Sequence, residues 1–108
     1  MKTLIVSLLA LAGMSAAPAP QVFTGTITDS VCARNGHAAM RMGPTDAECT
    51  TACVLAHDAS YVLHDGTNVY TLSDQKTPER FAARRVTVTG TLDAKTMTIA
   101  VESIAAAP

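Results

Sequence analysis

Three cysteines and a histidine fall within 22 residues of this 108-residue chain, as Cys32-x4-His37 and Cys49-x3-Cys53. Thiolate sulfur and imidazole nitrogen together suit Zn2+, and they suit Cu+ where thioether sulfur joins them. Met40 and Met42 supply such sulfur nearby. Four donors converging at about 2.0–2.3 Å would make a tetrahedral Cys3His site from Cys32, His37, Cys49 and Cys53. His57 continues the same helical stripe as Cys49 and Cys53 and could replace His37. Asp29 and Asp46 are poorer donors to the same site.

Two other chemistries use the same residues. Cys32 could pair with Cys49 or Cys53, closing a loop of 17–21 residues, worth about 3 kcal/mol by chain entropy. A Cys49–Cys53 bridge fits poorly, because a regular helix holds the two β-carbons too far apart. An odd cysteine then remains, to be buried, bridged to another chain or bound to metal. Thiol redox chemistry is the third reading, and it requires an accessible cysteine of depressed pKa. Cys-x-x-Cys and Cys-x-x-Cys-His are both absent. So are a Ser-His-Asp grouping, a paired-carboxylate motif and a phosphate-binding glycine loop. The reading is a binding protein, not an enzyme.

The elements that must position these residues follow from periodicity. Gln21 to about Ser30 alternates with a period of two and is rich in β-branched residues, which predicts a strand ending at the first cysteine. Asn35-Gly36 and Gly43-Pro44 break residues 33–44 into a loop carrying His37. Thr45-Asp46-Ala47-Glu48 has the form of a capping box, so a helix is expected from Asp46 to about His57. It would set Cys49 and Cys53 one turn apart on one side. Tyr61–His64 and Val69–Leu72 make a hairpin around Asp65-Gly66-Thr67-Asn68. Pro78 starts a short helix. Arg84–Leu92 and Thr96–Ile104 are the last two strands, with a bulge or bend at Gly90 and a fraying tail at 105–108. Five strands, expected to be all antiparallel, with a short helix between the third and fourth, predict a small OB-like Greek-key barrel. The cysteine-bearing helix would be an insertion after strand 1.

Composition bounds the partners. Lys2 precedes an apolar run from Leu4 to Met14, followed by Ser15, Ala16 and Ala17. This has the form of a secretory signal peptide and is too short to span a bilayer. We expect a leader over residues 1–19, a single domain over 20–108, and a periplasmic or extracellular destination. A domain this small buries only about 60–65% of its unfolded surface, so a metal or disulfide staple is in keeping. Formal net charge is -1, Trp is absent, and there are two Tyr and two Phe. Nucleic-acid binding wants a basic face and stacking aromatics, so it is disfavoured. No attachment to a membrane is expected of the mature chain. The partners in view are a metal ion or, for a disulfide-stapled module, a protein or saccharide. A monomer is expected.

Thr24-Gly-x-Ile-x-Asp29-Ser30-x-Cys32, His37-x-x-Met40, Cys49-x3-Cys53-Val54, Tyr61-Val62-Leu63, Val69-Tyr70-x-Leu72, Phe81-Ala82 and Val86-x-Val88-x-Gly90-Thr91-Leu92 together span nearly all of the mature chain. This pattern resembles a group of small exported bacterial proteins labelled as a domain of unknown function. The resemblance implies a secreted or periplasmic OB-like β domain. It supplies no activity. Its histidine corresponds to His37, and Ala83 stands where such proteins often carry glycine. The metal reading comes from ligand chemistry, not from the resemblance.

Overall fold

A computed structural model describes residues 18–108. The expected leader lies outside the described residues, apart from its last two positions. Five strands close into a barrel in the order β1-β2-β3-β5-β4. They are β1 (Gln21–Asp29), β2 (Tyr61–His64), β3 (Val69–Leu72), β4 (Arg85–Asp93) and β5 (Thr98–Ala106). Strand β1 pairs with both β2 and β4, and β2–β3 and β4–β5 are antiparallel neighbours. The closing pair departs from the all-antiparallel expectation, because β3 runs parallel to β5 over Thr71–Leu72 and Thr98–Ile99. This closing pair is short, and beyond Ile99 strand β5 pairs with β4 alone.

Alternation decides which side chains fill the barrel. Val86 and Val88 of β4 are fully buried, whereas Arg85 between the helical turn and the core points outward. With Ile27, Tyr61, Leu63, Tyr70, Leu72, Phe81 and Ile99 they form the core. Gly90 sits at a register shift between β4 and β5. A β-carbon there would run into the backbone oxygen of Ala100 and stand 2.8 Å from the Ile99 side chain. The bend expected at Gly90 is thus a place where two strands pass too closely for any side chain.

The loop between β3 and β4 seals one end. A 3-10 turn over Thr77–Phe81, with Pro78 in its first turn, buries Pro78 and Phe81. Gln75 closes the ladder where β2 begins: its side chain accepts from Tyr61 N at 2.8 Å and donates to the Tyr61 and Leu72 carbonyls at 2.9 Å. Ala83 has φ 61°, which is left-handed backbone that glycine adopts freely and alanine does not. Its N–H donates to the Ile27 carbonyl at 2.8 Å, pinning the turn to β1.

Two further expectations need correction. The tail does not fray at 105: β5 continues to Ala106, and Ala107 N donates to the Arg85 carbonyl at 3.0 Å. Residues 33–44 are not all loop. Helix α1 (Cys32–Asn35) and a 3-10 turn (His37–Met40) occupy much of them. Both elements are one turn long, too short for hydrophobic periodicity to register. The expected helix after Thr45 is present as α2 (Asp46–Ala56).

Candidate metal centre

Strand β1 delivers the first donors. Its far end is covered on the outside by α1 and α2, so Thr28 and Asp29 are buried as well as the inward Ile27. The Asp29 carboxylate turns the chain out of the strand. Its Oδ2 accepts from Val31 N at 3.1 Å and Cys32 N at 3.0 Å. This local side-chain-to-backbone bonding suits aspartate where a strand gives way to a helix. It places the Cys32 thiol directly above the barrel wall.

Gly36 then reverses the chain. Its φ is 74°, a conformation that favours glycine, and its N–H donates to the Cys32 carbonyl at 2.7 Å. The next residue, His37, is carried back toward Cys32. Its Nδ1 is buried and has no hydrogen-bond partner among the described residues.

Helix α2 supplies the other thiols. Thr45 Oγ1 accepts from Glu48 N at 3.2 Å, and the Glu48 carboxylate accepts from Thr45 N at 3.3 Å, completing the capping box. Cys49 and Cys53, one turn apart, are both fully buried against β1. Cys49 is the most connected of the three. Its S–H donates to the Met40 carbonyl at 3.1 Å, and its sulfur accepts from Met42 N at 3.3 Å. Its sulfur lies 3.7 Å from that of Cys32. Two thiolates bound at about 2.3 Å to one tetrahedral cation stand about 3.8 Å apart, so this pair already has the spacing of shared ligands. The same separation is too long for a sulfur–sulfur bond, and all three cysteines are free thiols.

Two groups of donors result. Cys32, His37 and Cys49 have ligand atoms within 4.8 Å of one another, and so do Asp29, Cys32 and Cys53. Cys32 belongs to both. The expected four-residue set is thus brought together as overlapping triads, with Cys53 facing Asp29 rather than His37. Asp29, a minor candidate from sequence, is central. The signal that would have raised it is its position three residues before Cys32, where an aspartate bonds the backbone and is buried with the cysteine. His57 caps the C-terminus of α2 and is exposed, away from the cluster. Asp46 is half exposed in an ion pair with Arg41 at 2.9 Å. Met40 contributes its backbone carbonyl, and Met42 packs against the three cysteines.

The electrostatics suit a cation. Burial, together with the neighbouring Asp29 and Cys49 groups, pushes the Cys32 thiol well above its ordinary range. Burial and then the Asp29 charge push Cys53 up as well. Redox nucleophiles need the opposite shift. Negative groups converging in a desolvated site are costly on their own, and a divalent cation reverses that cost. Access runs through a cavity of about 310 Å3 whose lining includes Thr26, Thr28, Cys32, His37 and His64. His64 is half-buried there, and its Nδ1 accepts from Gly66 N at 3.2 Å.

The fold and site together define a small closed β-barrel with a soft-donor cluster clamped on its outer wall. The family model described as "Protein of unknown function (DUF5818)" matches residues 53–107, just over half of the chain, and the chain belongs to that family. The match covers β2 to β5 and, of the cluster, Cys53. No curated protein and no solved structure matches the chain.

Proposed function

We propose that this protein is an exported domain that binds one soft or borderline metal ion, Zn2+ or Cu+, through Cys32, His37 and Cys49, with Cys53 behind them. One observation carries the reading: three donors from separate segments converge within 4.8 Å, two of them sulfurs 3.7 Å apart. Two thiols and an imidazole are the donor set that Zn2+ takes in open sites. Soft sulfur from Met42 beside the cluster is the feature that keeps Cu+ in view. The cavity over Cys32 and His37 leaves room for exchange, which favours delivery or sequestration over a purely structural role. The apolar run behind Lys2 supports export. No side chain here is assigned a catalytic step.

Native mass spectrometry with and without chelator tests this. A metal lost to chelator, with three thiols then free to alkylate, is the expected result. Cys32→Ser and Cys49→Ser should each abolish stoichiometric binding by the outer triad. A metal-free protein two daltons below its reduced mass, with one alkylatable thiol, would overturn the reading. It would instead favour the disulfide-stapled module, for which Cys32 and Cys49 are the nearest pair.

A further inference from the structure

We propose that the cluster holds a second cation at Asp29, Cys32 and Cys53, with the Cys32 thiolate bridging the two metals. This deepens the proposed metal function and rests on it. The outer site consists of Cys32, His37 and Cys49, and it meets the cavity. The inner site is closed: Asp29 and Cys53 have no exposed surface, and Cys32 has 4%.

Three observations lead to the inner site. Its donor atoms lie within 4.8 Å of one another, as close as those of the outer site. Only Cys32 is common to both, so filling one leaves two donors of the other free. The third observation is the Asp29 carboxylate. Oδ2 is committed to the backbone of Val31 and Cys32, but Oδ1 is buried with no hydrogen-bond partner among the described residues. A buried carboxylate oxygen that bonds nothing has lost its water without replacement, which is unfavourable. An outer cation bound by Cys32, His37 and Cys49 would not relieve it, because Asp29 is not among those donors. A cation between Asp29 and Cys53 would.

Charge counting gives the same answer. Three thiolates and one carboxylate carry four formal negative charges, and two divalent cations neutralise them. Thiolate bridges between metals are an ordinary use of soft sulfur. The inner site has three protein donors of mixed type, S, S and O, which Zn2+ and its spectroscopic substitute Co2+ both accept.

The test is a Co2+ titration of the full reduced chain, followed by native mass spectrometry and by thiolate-to-cobalt charge-transfer absorption. The wild type should saturate at two Co2+ per chain. The absorption should reach about twice that of a single site, because each site adds two cobalt–sulfur bonds. Asp29→Asn and Cys53→Ser should each bind one Co2+ with about half the absorption. Asparagine keeps an acceptor for the Val31 and Cys32 N–H groups, so that variant preserves the turn. Cys49→Ser and His37→Gln should also fall to one, by losing the outer site. Cys32→Ser should bind neither. A wild type that saturates at one, with Asp29→Asn unchanged, would overturn the inner site and leave the outer one standing. Two ions retained in both Asp29→Asn and Cys53→Ser would overturn it also, by placing the second cation elsewhere. A wild type that binds no Co2+, Zn2+ or Cu+ would overturn the proposed function and this inference with it.

Discussion

Cys49→Ser separates a metal ligand from a packing residue. Cys49 is fully buried and makes two backbone hydrogen bonds. Serine can keep polar contact with Met40 and Met42, but its oxygen sits on a shorter bond. The expected cost without metal is about 1–2 kcal/mol. In a domain of this size, 1 kcal/mol moves Tm by about 4–8 °C. The metal-free variant should therefore melt roughly 5–15 °C below wild type. The zinc-dependent part is larger. At free Zn2+ a thousand times Kd, binding to the folded state alone adds about 4.1 kcal/mol, a rise of roughly 15–30 °C. Wild type should show at least that rise in chelator-buffered Zn2+, and Cys49→Ser should lose the outer site's share of it. Circular dichroism melts of both proteins, with and without Zn2+, give the four numbers needed. A full-sized zinc shift in Cys49→Ser would refute its role as a ligand. A wild type whose Tm responds to neither Zn2+ nor Cu+ would refute the metal reading as a whole.

Other consequences follow from individual side chains. Ala83→Gly should raise stability by about 1 kcal/mol, because φ 61° strains alanine and not glycine; an unchanged or lower denaturant midpoint would contradict this. Gly90→Ala should cost about 1–3 kcal/mol through its collision with Ala100 and Ile99, read in the same denaturation assay. Thr50→Val should be neutral or stabilising by about 1 kcal/mol, since the Thr50 hydroxyl is buried without a partner; a loss of stability would reveal a partner for it. Asp65 caps the β2–β3 loop by accepting from Asn68 N at 2.6 Å and Thr67 N at 2.9 Å, which holds its carboxyl below its ordinary range. Its contribution is therefore present above the ordinary carboxylate pKa and lost as pH falls through the lower folded value, below about pH 4. Asp65→Asn should flatten that part of the Tm-versus-pH curve, and identical curves would count against it. In the metal-free reduced protein, alkylation of all three thiols should be slow at neutral pH and rapid on unfolding, given their burial and the raised Cys32 and Cys53 values.

Much of the barrel is legible in local pattern. Period-two alternation locates β1 and β4 to within a residue or two, because one face of each strand is core and the other is not. Asp65-Gly66-Thr67-Asn68 marks the hairpin by turn chemistry, and Thr45 with Glu48 marks the start of α2 by reciprocal capping. These signals involve residues at most a few positions apart, so the order of residues alone carries them. The one-turn elements after Cys32 carry no such signal. Nor does the parallel β3–β5 pair, which depends on how the barrel closes rather than on either strand's own sequence.

The same division runs through the site. The residue types alone put Cys32, His37, Cys49 and Cys53 forward as soft donors, and helical spacing put Cys49 and Cys53 on one side of α2. Which donors share a metal is a question of distance between separate segments, Cys32 and Cys49 being 17 residues apart, and spacing along the chain does not determine it. Packing α2 across the end of β1 turned Cys49 toward Cys32 and His37, and Cys53 toward Asp29. It also buried Asp29 and left one of its oxygens without a partner. An aspartate three residues before a cysteine is only a poor donor candidate in a string of letters; the fold raises its standing by removing its water.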